Sequence, residues 1–467
     1  MQPLWTFSEL SAVFGVAPEG GTDQPVTGIS IDTRTLQAGD LFVALKDQRD
    51  GHDFVSPAFK AGAAAALVSE GYVRRAEDGA LFRVSDTLKA LEALGRAARD
   101  RLSPDARVIA VTGSAGKTGT KEMLRACLSH LGVTHASEKS YNNHWGVPLT
   151  LARMPRETRF GVFEIGMNHA GEIRPLTKMV RPHAAIITTV EAVHLEHFPS
   201  VEAIADAKGE IFEGLLPGGT AIIKFDNPHA ARLKAIAERL GAKAVTFGFS
   251  AGADVCGDDL VLDHDGSTLS VRLGDRRIPL RIAMPGRHIA ENALAVAAAI
   301  DAIGADIETA LSVLAGLQPP GGRGARSVLR LDGGEALLID ESYNANPASM
   351  RAALATLASL PRQRFPRRIA VLGDMLELGA DAPGLHAGLK DAVEDAGIDV
   401  IFACGPHMKG LYDALPKSKR GGYAQTSSLL QPAVLSELRG GDAVMVKASN
   451  GTRLGAVVEA LKSKYGN

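Results

Sequence analysis

Cysteine is scarce in this sequence: Cys127, Cys256 and Cys404 are the only three in 467 residues, and they stand far apart. No two have metal-ligand spacing, and buried or free thiols in a reducing compartment are expected rather than a disulfide framework. An excess of one charge is lacking too. The formal net charge is −2, and no basic stripe marks a nucleic-acid binder. Any polyanionic ligand must be met by local devices rather than by a global field. Long hydrophobic runs are missing: AGAAAALV at 61–68 is too short to span a bilayer. The opening MQPLWTFSEL has no basic region followed by an apolar run, so it does not read as a signal peptide. A cytoplasmic protein that engages neither membrane nor nucleic acid is expected. Aromatics make up only 5%, and no internal repeat or low-complexity tract is evident.

What is present is abundant glycine and alanine with 45% apolar and 22% charged residues, a mix that suits tightly packed α/β layers with many turns. A chain of this length exceeds one compact core, and two or three domains are expected. ISIDTR (29–34), DLFVAL (40–45) and AALVSE (65–70) read as strands, and SDTLKALEALGRAARDRL (85–102) as a helix with apolar residues at helical spacing. From Arg107 the pattern changes. RVIAVTG (107–113), FGVFEIG (160–166), AAIITTV (184–190) and TAIIKF (220–225) are strand-like runs alternating with helical stretches, which argues for a parallel sheet covered on both faces. Residues 245–283 read as short strands of an antiparallel edge, and ENALAVAAAIDAIG (291–304) as a helix. LQPPGGRGARS (317–327) cannot continue a helix or a central strand and reads as a linker. Beyond it EALLIDE, RRIAVLGD, DVIFACG and DAVMVKAS alternate with helices as a second α/β domain.

VIAVTGSAGKTGTKEML (108–124) places a glycine-rich loop between a strand and a helix. Backbone N–H groups around Gly113, Ser114 and Gly116 can cradle phosphates, helped by the positive end of the helix dipole. Lys117 would reach the terminal phosphates, and Thr118 could bind Mg²⁺ through its hydroxyl. The usual pattern wants glycine six residues before the lysine, where Val111 stands; Gly113 comes two residues later. An ordinary Gly-rich turn would look alike, but the strand before and the helix after mark a nucleotide loop. Glu164 ends the strand VFEI, and a carboxylate there points toward the place where α/β sheets bind ligands. His194 follows the next strand in the same way. Lys208 lies in SVEAIADAKGEIFEGLL, an amphipathic helix, and spacing alone makes it a surface lysine.

The stretches TGSAGKTGTKEM, YNNHWGVPLTL, FEIGMNHAGEI, EAVHLEHFPSVEAIADAKGEIF, MPGRHIAENALAVAAA, PPGGRGA, IDESYNANPASM and VLGDMLELG, in this order, closely resemble the Mur ligase family. YNANPASM with LGDMLELG is most similar to the subfamily that adds D-alanyl-D-alanine to UDP-N-acetylmuramoyl-tripeptide. The resemblance implies an ATP-dependent, Mg²⁺-requiring ligase that works through an acyl phosphate, with two Mg²⁺ ions, and acts as a monomer on these small molecules. It implies three α/β domains. Residues 1–104 would bind the UDP substrate, and 105–318 would carry a P-loop-type, mostly parallel sheet with helices on both faces. Residues 319–467 would be Rossmann-like.

The same resemblance assigns roles. Lys117 and Thr118 match the phosphate-loop pair, and Glu164 and His194 match Mg²⁺ ligands. Lys208 falls where the family carries a carbamylated lysine, which overrides the surface reading and makes Lys117, His194 and Lys208 the catalytic set. Asn292 matches an asparagine that contacts adenine, Arg323 an arginine that reaches the nucleotide phosphates, and Asp340 an acid that holds the ribose. Tyr343, Asn344 and Asn346 continue that motif. Ser30, Asp32, Thr33 and Arg34 resemble the UDP-binding region, with Lys46 and Asp53 just beyond. Asn142 and Asn143, with Gly146, resemble a loop facing the substrate. His144 and Trp145 depart from the smaller or acidic residues usual there, and VKASNGTRLGAVV is a loose version of the family's ending. Competing readings are a sister ligase adding a single amino acid, a folylpolyglutamate synthetase, and a P-loop ATPase switch.

Overall fold

The computed structural model describes residues 3–138, 140–192 and 196–466, and builds them around three β-sheets. In the first, Gly28–Ser30, Asp40–Val43, Ala65–Ser69 and Ala80–Val84 lie side by side in chain order, all parallel. The strand expected at 29–34 stops at Ser30 because the side chains turn the backbone: Ser30 Oγ accepts from the Asp32 N–H at 3.2 Å, and Asp32 Oδ1 from the Arg34 N–H at 3.0 Å. Ala80–Val84 escaped the sequence reading because Arg83 interrupts its apolar run. The guanidinium leaves the sheet to bond Glu19 Oε2 at 2.7 Å and the Tyr72 carbonyl.

The central sheet has nine strands. Its parallel part runs, in spatial order, Lys243–Gly248, Thr220–Lys224, Ala184–Ile187, Arg107–Thr112, Phe160–Glu164 and Thr134–Ala136. Val255–Asp263, Gly266–Leu273 and Arg276–Ile282 extend it at the first end, pairing antiparallel with one another. The expected antiparallel edge is therefore present, but its first segment, Lys243–Gly248, belongs to the parallel part. Side chains of Arg107–Thr112 alternate between two cores. Ile109 and Val111 pack with Met123, Leu124 and the helix Arg287–Ala302; Val108 and Ala110 pack with Phe163, Ile204 and Ile211 on the other face. Burial of each such side chain contributes about 1.5–3 kcal/mol, which fixes the strand ends that carry polar groups.

The third sheet runs Ala325–Leu331, Gly334–Glu341, Asp442–Lys447, Arg367–Gly373, Val400–Cys404 and Arg420–Ala424. Only the first pair is antiparallel. The linker is shorter than expected, since pairing with Asp340 begins at Ala325. Arg420–Ala424 was hidden by Gly421 and Gly422, whose missing side chains admit the Phe402 ring. Among the described residues no helix is long and apolar enough to cross a membrane.

The first sheet is clamped to the central one. Trp5 Nε1 donates to the Ala152 carbonyl at 2.9 Å, and Arg101 lies 3.7 Å over the Trp5 ring while bonding the Leu4 and Met154 carbonyls. Arg99 ties the helix Thr87–Asp100 to the Val180 carbonyl at 2.8 Å and the Arg181 carbonyl at 2.9 Å.

Candidate active site

The strand Arg107–Thr112 runs into the loop 113–116, and the helix Lys117–Ser129 starts at once. Val111 stands where the usual pattern has glycine because the strand continues through it, paired with Glu164 and Ile186. The turn then needs Gly116, whose φ of +81° lies in the left-handed region and whose missing Cβ would meet Asn292 Oδ1 at 2.8 Å. Lys117 Nζ donates to the Gly113 carbonyl at 2.7 Å, closing the loop on itself. Ser114 Oγ accepts from the Glu191 N–H at 2.9 Å, fixing the loop to the segment after Ala184–Ile187.

Glu164 ends the neighbouring strand and is buried, at 1% exposure. Its two oxygens are addressed separately. Thr118 donates its hydroxyl to Oε2 at 2.8 Å, and Asn142 Nδ2 donates to Oε1 at 2.8 Å. The Glu164 N–H meets Ser137 Oγ at 3.2 Å, and the Ser137 carbonyl accepts from the fully buried Lys121 at 2.7 Å. The carboxylate is thus oriented by Thr118 and Asn142, and the backbone that carries it by Ser137.

Lys208 sits in the helix Val201–Gly209 at 2% exposure, not on the surface. Burial pushes its amine well below the usual lysine range, and Lys117 adds a like charge in the same direction. Among the described residues it has no carboxylate or carbonyl within hydrogen-bond range. A buried ammonium without a partner is costly, so the site favours the neutral amine over the charged one. Lys117 is also lowered by burial, opposed by Glu164 and reinforced by Arg323. Among the described residues no three His, Cys, Asp or Glu side chains converge as a metal-binding group. His194 lies outside the described residues.

A polar cleft of about 310 Å³ joins this region to the third sheet, lined by Ser114, Lys117, Asn142, Tyr343, Asn344 and Glu377 among others. Glu377 takes a left-handed φ of +63°, a conformation that non-glycine residues adopt at a cost. Asp340 is buried and faces its own turn: Oδ2 accepts from the Gly322 N–H at 2.9 Å, and Oδ1 from the Ser342 N–H and hydroxyl at 3.1 and 2.7 Å. That turn presents Arg323 and Tyr343 to the central sheet. Asn346 caps the helix Pro347–Ala358 through Ser349.

Next to the loop lies a second cavity of about 300 Å³, lined by Gly116, Asn292, Lys224, Glu291, Arg323 and Lys447 among others. Lys224 pairs with Glu291 at 2.7 Å, and the buried Lys447 with Glu341 at 3.2 Å. Sequence reasoning missed these pairs, because nothing in their spacing shows that distant strand ends and one helix meet here.

A groove of about 1020 Å³ runs along the first sheet, lined by Asp32, Thr33, Arg34, Lys46, Tyr141 and Trp145 among others. Arg34 grips Asp32 through two nitrogens, at 2.6 and 2.9 Å, and Trp145 meets Tyr141 edge-on at 5.4 Å. Ser30 is buried under this groove, Asn143 Oδ1 accepts from the Gly146 N–H at 2.8 Å, and Asp53 is exposed; none of the three lines it. The structure therefore brings together the phosphate loop, Glu164, Lys208, Asn142, Asn292, Arg323 and Tyr343, with the groove at one side.

Three family models match the chain: the Mur ligase family catalytic domain over 25–138, the Mur ligase middle domain over 111–300, and the Mur ligase glutamate ligase domain over 328–450. The UDP-N-acetylmuramoyl-tripeptide--D-alanyl-D-alanine ligase of Escherichia coli (strain K12) is 35% identical, covering 98% of this chain and 98% of that protein. The enzyme of the same name from Rickettsia prowazekii (strain Madrid E) is 31% identical, covering 98% and 99%. Among solved structures, MurF from Acinetobacter baumannii superposes with a TM-score of 0.84 at 29% identity, covering 98% of this chain and 99% of that one. MurF ligase from Thermotoga maritima in complex with ADP shares the fold, with a TM-score of 0.77 at 24% identity, covering 93% and 97%. With three domain models in order and full-length relatives above 30% identity, the chain belongs to the Mur ligase family.

Proposed function

We propose that this chain joins D-alanyl-D-alanine to UDP-N-acetylmuramoyl-tripeptide at the expense of ATP, giving the pentapeptide precursor of peptidoglycan. The observation that carries the reading is the buried Glu164 carboxylate, bonded both to Thr118 in the first turn after the phosphate loop and to Asn142, which lines the cleft between the central and third sheets. The full-length relatives named for this reaction support it. The division 1–104, 105–318 and 319–467 gives a UDP-substrate-binding part, an ATP-binding ligase part and a Rossmann-like part, and a cytoplasmic setting fits the three buried free thiols.

In this reading a terminal carboxylate oxygen of the tripeptide attacks the γ-phosphorus of ATP. The bond from that phosphorus to the bridging oxygen breaks and ADP leaves. The amine of the dipeptide attacks the resulting acyl phosphate, phosphate departs with the C–O electron pair, and the nitrogen loses its proton. Carboxylate and triphosphate repel, so cations must do most of the stabilising. Lys117 neutralises charge on the transferring group, and the loop N–H groups around Gly113, Ser114 and Gly116 bind the phosphates. Asn292 faces adenine, while Arg323, Asp340, Tyr343 and Asn344 close on the nucleotide from beyond the linker. Asp32, Thr33, Arg34 and Lys46 hold the UDP end, with Ser30 shaping their turn; Asn142 and Asn143 order the loop along which the peptide lies.

The residues fit Mg²⁺: a carboxylate, a hydroxyl and a buried amine that CO₂ would convert to a carbamate form a hard-oxygen donor set, and the family resemblance adds His194 as a nitrogen ligand. Two bound Mg²⁺ would supply positive charge at the transferring phosphate. The Lys208 nitrogen would add to CO₂ and release a proton, becoming a carbamate whose oxygens can hold metal beside Glu164. Its burial next to Lys117 supports this, because the neutral amine is the reactive form.

The test is phosphate release from ATP and Mg²⁺ with UDP-N-acetylmuramoyl-tripeptide, with and without D-alanyl-D-alanine, together with the mass of the product. Release that depends on the dipeptide and yields the UDP-pentapeptide is expected. Dependence on a single amino acid would move the chain to a sister activity, and indifference to any amine would point to an ATPase switch.

A further inference from the structure

Ser140 lies between Thr134–Ala136 and the helix Gly146–Ala152 of the central sheet, yet two side chains from beyond the linker meet its hydroxyl. The Tyr343 hydroxyl donates to Ser140 Oγ at 3.0 Å, and Arg323 Nη2 donates to it at 3.3 Å. The guanidinium also lies 4.4 Å from the centroid of the Tyr343 ring. One turn holds both donors: Asp340 fixes the Gly322 N–H, and the Tyr343 N–H bonds the Gly322 carbonyl at 3.2 Å. They reach Ser140 as one body.

From Ser140 the chain of bonds runs inward. Its carbonyl accepts from the Asn142 N–H at 2.8 Å, and Asn142 Nδ2 donates to Glu164 Oε1 at 2.8 Å. The Asn142 carbonyl accepts from the Gly166 N–H at 2.8 Å, just past Glu164 on the same segment. Loop 140–142 thus joins the third sheet on one side to the Glu164 carboxylate on the other. The serine hydroxyl oxygen has two acceptor sites, enough for both donors.

We infer that Ser140 is a positioning residue for the ligation, the point on which the part beyond the linker lands when Arg323 and Tyr343 enter the cleft. Its landing sets the loop that orients Glu164, so closure and the carboxylate's placement are coupled through one hydroxyl. The rate arm of the test rests on the proposed ligase reading. Alanine at 140 removes both contacts while leaving Arg323, Tyr343 and Glu164 in place, and threonine keeps the hydroxyl.

The experiment compares the parent with Ser140→Ala, Tyr343→Phe, the double variant and Ser140→Thr, each checked for a native melting transition. Tyr343→Phe is expected to lower kcat roughly tenfold, the effect of one lost hydrogen bond to a hydroxyl, and Ser140→Ala, which loses two, by at least as much. The double variant should lose no more than the worse single one. Ser140→Thr should restore most of the rate, and the KM for the UDP substrate should stay within about twofold. Losses that multiply in the double variant, or a Ser140→Ala kcat within about twofold of the parent, overturn the inference. Solution scattering of the same proteins decides without turnover. A larger radius of gyration for Ser140→Ala than for the parent supports the landing point, and identical profiles reject it. A parent that makes no product refutes the ligase reading, and scattering alone then decides on Ser140.

Discussion

Thr118 donates its hydroxyl hydrogen to Glu164 Oε2 at 2.8 Å, although 46 positions separate them in the chain. The start of the helix after the phosphate loop is thereby tied to the end of the neighbouring strand Phe160–Glu164. Replacing Glu164 with Gln keeps the size but puts an amide where a donor-accepting anion stood. A kcat loss of roughly 100-fold or more is expected, with a raised Mg²⁺ requirement and an unchanged melting temperature. Titrating Mg²⁺ in steady-state assays of Glu164→Gln checks this; a normal metal requirement would remove Glu164 from the site.

Lys208→Met should separate chemistry from stability. The variant exchanges a buried amine that has no partner among the described residues for an apolar chain of similar length, so the melting temperature should hold or rise. Activity should fall by about a thousandfold or more, since no carbamate can form. In the parent, stripping CO₂ from the buffer should lower the rate, and added bicarbonate should restore it. A Lys208→Met protein that is fully active, or a parent rate indifferent to CO₂, would show that the lysine only fills space.

Gly116→Ala tests the fit between the loop and Asn292. The left-handed φ of +81° costs about 1 kcal/mol for a side chain, and the new methyl meets Asn292 Oδ1 at 2.8 Å. The KM for ATP should rise by about tenfold, with a lowered melting temperature. Adding Asn292→Ala should recover part of the stability and none of the ATP affinity.

His183 predicts a pH dependence of stability. Its Nδ1 accepts from the Val108 N–H at 2.9 Å, and burial with Arg99 and Arg107 nearby pushes its pKa down to about 4. The folded state binds the proton less readily than the unfolded chain, where histidine titrates near 6.5. Stability from this group is present above pH 6.5 and is lost as the pH falls toward 4. With discount for its partial exposure, the loss is on the order of 1–2 kcal/mol. His183→Asn, which can still accept the N–H, should flatten the melting temperature of the variant relative to the parent over that window.

Periodicity carried much of the fold. Arg107–Thr112, Phe160–Glu164 and Ala184–Ile187 are buried on both faces, so their sequences read as unbroken apolar runs. Polar or glycine-rich strands such as Ala80–Val84 and Arg420–Ala424 were illegible, because their burial depends on neighbours far along the chain. Lys208 shows how a site hides. Spacing read it as a surface lysine, yet in the structure positions 204, 208 and 211 are all buried, with Lys208 at 2% exposure. Ser140 gave no signal at all, since its two donors lie about two hundred positions away, as 183 and 203 residues separate them.

The central claim is that a substrate carboxylate is activated by phosphoryl transfer. Its most direct test uses UDP-N-acetylmuramoyl-tripeptide carrying ¹⁸O in the terminal carboxylate, with ATP, Mg²⁺ and D-alanyl-D-alanine. One labelled oxygen should appear in each inorganic phosphate released, because the acyl phosphate hands that oxygen over when the amide forms. Unlabelled phosphate accompanying the product would contradict the acyl phosphate route.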